Sequence, residues 1–181
     1  SFYNRQIFID WRKRVGNKEA DRITKKATTR GTDFHEVAQD YLLNKELNWD
    51  NYRPLSKFMF YHLKPELDKI NNIHAIERTL YSEYLGLAGR VDCIGEFDGT
   101  LSVIDFKTAK RPKEVSDIQN YFLQATCYSL LWENLTGQPI ENGVIIMACE
   151  DKSCSVYEFK TKDYIQELIR VTKTYTKKHG R

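Results

Sequence analysis

The chain lacks the features of a membrane-embedded or disulfide-built protein. No apolar run approaches the roughly 18 residues of a membrane-spanning helix, so no membrane partner is expected. There are only 4 cysteines, Cys93, Cys127, Cys149 and Cys154, and no two form a Cys-x-x-Cys pair. Zinc and iron–sulfur sites need more ligands at closer spacing, so neither is expected. The cysteines read as reduced thiols of an intracellular protein. No signal-peptide pattern leads the sequence, which starts at Ser1. It has no internal repeat and no low-complexity segment. A strong excess of one charge is also missing. The net charge of +3 permits a nucleic-acid partner without demanding one.

What the chain does have is an acidic hairpin. Asp98-Gly99 sits between two β-branched and apolar runs, the strongest short signal for a two-residue type I′ turn. With those two residues as the loop, Phe97 faces Thr100, and the register carries back to Asp92 opposite Asp105. Carboxylates directly opposed across a ladder repel, so a covered pair must share a proton, find a cation or bind a metal. Lys107 follows Asp105 by two and shares its face. Two carboxylates and an ammonium can hold Mg²⁺ or Mn²⁺ beside a water and a phosphate. The alternative is a Lys–Asp pair on a solvated strand. It is disfavoured because Ile94 and Val103 share that face while Val91, Cys93 and Ile104 line the other, a pattern typical of strands covered on both sides.

Hydrophobic periodicity lays out the remaining elements. Helices are expected over residues 3–15, from a second start after Asn17, over 33–43 behind an Asp33/Glu36 capping box, and over 55–70 with a kink or split at Pro65. Strands are expected over 73–83, 87–97 and 100–108. A long helix capped by Ser116 and Gln119 closes at Gly137, and strands over 143–148 and 155–159 precede a last helix over 163–178. The order gives an α/β single domain, a mixed central sheet of about five strands flanked by helices. An N-terminal helical region would span residues 1–72 and a core 73–181.

Other residues bear on the acidic patch. A two-residue turn at Leu85-Gly86 would set Glu77 opposite Ile94, diagonal to Asp92; an exposed strand glutamate fits equally well. His35 is a possible ligand for a transition metal, though a lone helical histidine is more often a packing residue. Gln124 and Tyr128 stack one turn apart on the long helix, with Tyr121 a turn earlier and readable as plain packing. Tyr3, Phe8 and Trp11 interleave with Arg5, Arg12, Lys13 and Arg14, the mixture of stacking and charge that holds single-stranded nucleic acid. Lys107, Lys110, Arg111 and Lys113 form a second basic cluster. A solvated helix face or a core stripe explains each run as well.

Four segments in order carry a family resemblance: Arg30-Gly31-Thr32-Asp33-Phe34-His35-Glu36, Gly89-Arg90-Val91-Asp92, Ile104-Asp105-Phe106-Lys107-Thr108 and Gln124-Ala125-Thr126-Cys127-Tyr128. Together they resemble the PD-(D/E)XK nucleases, most closely the RecB-like branch with its mitochondrial, phage and bacterial exonucleases. Val91 stands where the family name has proline. The cluster-binding cysteines of some relatives have no counterpart here. The resemblance implies a restriction-endonuclease-like core and a metal-dependent DNA exonuclease, acting on single-stranded DNA in replication, repair or recombination. It implies Mg²⁺ or Mn²⁺ held by His35, Asp92, Asp105 and the Phe106 carbonyl, with Glu77 joining directly or through water. Catalytic roles fall to Asp92, Asp105, Lys107, Gln124 and Tyr128, and nucleic-acid contacts to Arg30, Arg12, Arg14, Lys110 and Arg111. A monomer is expected, in a bacterial or phage-infected cytoplasm or alternatively in the mitochondrial matrix. A catalytically silent DNA-binding accessory and a structure-specific endonuclease are the other readings.

Overall fold

The structure, a computed structural model, describes residues 5–179. The N-terminal helices are α1 (Arg5–Val15), α2 (Asn17–Leu42) and α3 (Pro54–Leu67). Strands β1 (Ile70–Ser82), β2 (Leu87–Phe97) and β3 (Thr100–Ala109) follow, then α4 (Gln119–Thr136), β4 (Asn142–Cys149), β5 (Cys154–Lys160) and α5 (Ile165–His179). The five strands lie in the order β1-β2-β3-β4-β5, with β3 and β4 parallel and every other neighbouring pair antiparallel. The parallel pair needs a crossover, and α4 supplies it.

Helices cover both faces of the sheet. On one, Phe34, Val37 and Ala38 of α2 and Met59, Phe60 and Leu63 of α3 pack against Cys93, Ile104, Phe106 and Ile146. On the other, Phe122, Ala125, Leu131 and Trp132 of α4 pack against Ile94, Val103, Ile145 and Met147. β3 and β4 are therefore buried through most of their length, which matches their runs of branched apolar residues.

Several expected boundaries shift. The second and third helices are one 26-residue helix, because Gly31 keeps helical geometry and Asp33 pairs with Arg53 at 3.3 Å instead of capping. Gly16, at φ 85, precedes that helix, and Asn17 is its first residue rather than its cap. α3 runs two residues past Pro65 without splitting. Residues Val115–Ile118 form a 3₁₀ turn, so Ser116 does not cap α4. Gly137 does close α4, at φ 74. Among the described residues no helix is long and apolar enough to cross a membrane.

Candidate active site

The site forms where the sheet departs from regular pairing. β1 and β2 pair Ala75 with Ile94 and Ile76 with Cys93, then resume at Arg78 with Val91. The skipped position sets Glu77 opposite Asp92. Glu77 has φ 48, a left-handed conformation that costs an L-residue about 1–2 kcal/mol. This break reverses the alternation of side chains on both strands. Val91 therefore packs in the α4-side core with Ile94, not on the opposite face with Cys93 as simple alternation requires. The turn joining the strands also differs from the expected one. Leu87 pairs with Ser82, which moves Glu77 two residues, from opposite Ile94 to opposite Asp92.

β2 then leaves β3. Their ladder follows the expected register from Phe97–Thr100 to Cys93–Ile104 and stops, one position before Asp92 and Asp105. Phe106 is left with backbone groups that β2 no longer reaches. Its N–H donates to Asp92 Oδ2 at 2.8 Å, and its carbonyl accepts from His35 Nε2 at 2.9 Å. Because a carbonyl can only accept, Nε2 carries the hydrogen, which leaves Nδ1 as the nitrogen that can ligate a cation. Nδ1 faces Glu77 Oε1 at 3.6 Å and Asp92 Oδ1 at 3.7 Å. The second oxygen of Glu77 pairs with Arg90 Nε at 2.8 Å.

His35 Nδ1, one oxygen of Glu77 and one of Asp92 thus converge, all within 4.8 Å of one another. The other polar atom of each side chain is held from behind, by Phe106 or Arg90. Outer partners of this kind orient metal ligands. Asp105 lies beside this group and is fully buried. Lys107 Nζ pairs with Asp105 Oδ2 at 2.5 Å, while the buried Oδ1 has no hydrogen-bond partner.

The electrostatics leave the site short of positive charge. Three carboxylates, Glu77, Asp92 and Asp105, face two cations, Arg90 and Lys107. Burial, and then the Asp105 charge, push the Asp92 carboxyl up to about 7, against the pull of His35, Lys107 and the Phe106 N–H. Burial alone would lower the Lys107 ammonium, but Asp105 and Asp92 outweigh it and raise the group above its usual value. One imidazole nitrogen, converging carboxylate oxygens and a buried oxygen without a hydrogen-bond partner suit a divalent cation such as Mg²⁺ or Mn²⁺. A cleft of about 400 Å³, lined by Gly31, Thr32, His35, Glu36, Gln39, Glu77 and Arg90, opens beside the group.

The structure places the remaining residues unevenly around this centre. Gln124 Nε2 donates to the Tyr128 hydroxyl at 2.9 Å, so the pair bonds internally. Tyr121 touches the lysine instead, with Lys107 Nζ 5.1 Å from its ring centre. Sequence reasoning took Tyr121 for packing, and only its place one turn before Gln124 hinted otherwise. Gly89 lies under Tyr128, where an added Cβ would come within 2.6 Å of the Tyr128 ring. Gly89→Ala is expected to cost about 1–3 kcal/mol of stability, the usual penalty for overpacking. Denaturant unfolding beside the wild type measures it, and an unchanged midpoint would show that the ring moves freely.

Arg30 is not a surface cation. It is 9% exposed, donates from Nε to Thr108 Oγ1 at 3.1 Å and pairs with Glu150, tying α2 to the end of β3. It sits five residues before His35 on the same helix and helps fix that helix over Phe106. Arg12 pairs with Asp21 at 2.7 Å and lies 5.8 Å from the Phe8 ring centre. Phe8 packs on Trp11 at 5.4 Å. Arg14, Lys110 and Arg111 are exposed. Tyr3 lies outside the described residues.

Known proteins resemble this chain in sequence and in fold. Residues 55–174 match the family model described as the PD-(D/E)XK nuclease superfamily. The human protein called mitochondrial genome maintenance exonuclease 1 is 28% identical over 160 residues, covering 82% of this chain and 46% of that protein. The Mus musculus protein of that name is 26% identical, over 79% of this chain and 44% of its own length. The chain thus spans less than half the length of these relatives. A solved structure from Eubacterium rectale, described as a candidate exonuclease, matches with a TM-score of 0.56 at 11% identity, over 82% of this chain and 65% of that one. That likeness establishes the fold.

Proposed function

The chain belongs to the PD-(D/E)XK nuclease superfamily, and on that footing we propose that it is a metal-dependent exonuclease that hydrolyses single-stranded DNA. The observation that carries the reading is the convergence of His35 Nδ1, Glu77 Oε1 and Asp92 Oδ1 beside the buried Asp105–Lys107 pair. The exonuclease name of the matched relatives supports the reaction class.

In this reading His35, Glu77 and Asp92 hold Mg²⁺ or Mn²⁺, and Asp105 completes the acidic wall. The bound cation supplies Lewis-acid stabilisation of the charge that develops on the scissile phosphate. Asp105 and Asp92 outweigh burial and raise the Lys107 ammonium above its usual value before a cation binds. Lys107 positions or helps deprotonate the attacking water and offsets phosphate charge. Asp105, whose Oδ1 has no hydrogen-bond partner, is the acceptor that orients that water. Tyr121 keeps the lysine stem over the site, and the Gln124–Tyr128 pair stiffens α4 behind it. The relatives' name is consistent with a role in DNA maintenance, in the mitochondrial matrix or in a bacterial or phage-infected cytoplasm. The proposed working form is a monomer.

A silent DNA-binding module fits less well, because opposed carboxylates without a cation repel phosphate. Labelled linear single-stranded, linear double-stranded and circular single-stranded DNA, each with Mg²⁺ or Mn²⁺, separate the readings. The linear single strand is expected to be degraded and the circle spared. An opened circle would mean an endonuclease, and no cleavage of any substrate would favour the binding module.

A further inference from the structure

The cations packed around the site have acidic partners: Lys107 with Asp105, Arg90 with Glu77, and Arg30 with Glu150. Lys113 does not. It is half-buried, and among the described residues no carboxylate lies within ion-pair distance of it. Its ammonium instead donates to the Tyr121 hydroxyl at 3.1 Å and lies 5.3 Å from the Tyr121 ring centre. Its backbone is fixed as well, since the Tyr157 hydroxyl donates to the Lys113 carbonyl at 2.6 Å.

Tyr121 is therefore shared by two ammonium groups, Lys107 at 5.1 Å and Lys113 at 5.3 Å from the same ring. Two cations on one aromatic ring repel each other. Holding one of them half out of water with only a phenol as partner is unfavourable unless an anion joins it. The fold nonetheless anchors Lys113 from two sides, through a helix residue and a β5 residue. Lys110 and Arg111, both exposed, extend positive charge along the same loop. An anion that joins Lys113 lies close to the group that Lys107 contacts, and neighbouring phosphates of one strand meet that condition.

We propose that Lys113, held by Tyr121 and Tyr157, binds the phosphate next to the scissile one in the nucleic-acid strand. Tyr121 acts as the positioning residue that couples this contact to Lys107. The proposal rests on the nuclease reading and adds a binding subsite to it. A lysine suits the role, because it binds phosphate as a compact point charge without demanding a fixed fork geometry.

The test uses the full chain carrying Asp105→Asn, so that DNA binds without turnover, and a short labelled single strand. One phosphate at a time is replaced by an uncharged methylphosphonate. At one position the otherwise unaltered protein is expected to lose roughly tenfold in affinity, the scale of a charge-assisted contact. Adding Lys113→Gln should produce no further loss at that position and the usual loss elsewhere. Lys113→Gln should also flatten the salt dependence of binding by about 0.7 in the log–log slope, as for one phosphate contact to a single strand. Lys113→Arg should restore the slope, which a merely structural role would not require. Tyr121→Phe keeps the ring, removes the hydroxyl and should fall between. An unchanged slope, or losses that add at every position, overturns the proposal while leaving the nuclease reading intact. If Lys113→Gln does not fold, a methylphosphonate scan of the parent with no sensitive position overturns it equally. Absence of any DNA binding overturns both.

Discussion

Lys107→Ala is expected to lower phosphodiester cleavage by about 10²–10³-fold or more, the scale of losing a preorganised charge at a reacting oxygen. Asp105→Asn should fall at least as far, and the double variant should be little worse than either single, because the two act as a unit. Their effects on stability should differ. Asp105 is fully buried, so removing Lys107 strands a carboxylate without a counter-charge, and breaking such a pair costs about 3–5 kcal/mol. Asp105→Asn instead frees a lysine whose side chain is 18% exposed and can turn toward water. Single-turnover cleavage and denaturant unfolding of the same samples read both effects. Undiminished cleavage in both variants would remove this pair from the reaction.

The second large effect concerns the cation. His35→Ala and Asp92→Asn each remove one of three converging donors, and each should weaken Mn²⁺ binding by about 100-fold or more, beyond the 10–100-fold typical of outer partners. Arg90→Gln, which releases only the back of Glu77, should fall within that smaller range. Binding should also be linked to protons. Burial and the Asp105 charge push Asp92 up to about 7, so below that pH the metal-free carboxyl is protonated and must release its proton to ligate. Apparent affinity therefore rises with pH until about 7 and then levels off. In Asp92→Asn this pH dependence should flatten. Calorimetry in buffers of different ionisation enthalpy counts the protons directly, and an affinity independent of pH would contradict the site.

The hairpin shows how far the sequence reaches. Asp98-Gly99 specified the turn, and the turn specified the register as far as Cys93 with Ile104, one position short of Asp92 and Asp105, which the ladder does not pair. That chain of inference is local, and each step rests on one residue's conformational preference. Glu77 needed more. Its partner depended on the length of the β1–β2 turn and on a positive φ at a glutamate, which no propensity favours, so its place opposite Asp92 could not be read. Val91 was misplaced for the same reason, since alternation assumes an unbroken strand. Arg30 looked like a surface cation because its partners, Thr108 and Glu150, are distant in sequence. The single long α2 was hidden by Gly31 and by an Asp33 that resembles a cap but binds Arg53. His35, Lys107, Gln124 and Tyr128 were legible through their motif, but not their contacts: the His35–Phe106 bond and the Tyr121–Lys107 contact are tertiary.

The central claim is that His35, Glu77 and Asp92 hold the ion on which cleavage depends. Its most direct test is a Mn²⁺ titration in which ion binding and single-turnover cleavage of labelled single-stranded DNA are followed on the same samples. The two curves are predicted to superimpose for the wild type and to move together to much higher Mn²⁺ in Asp92→Asn. Cleavage that proceeds in excess chelator, or curves that Asp92→Asn leaves in place, would contradict it.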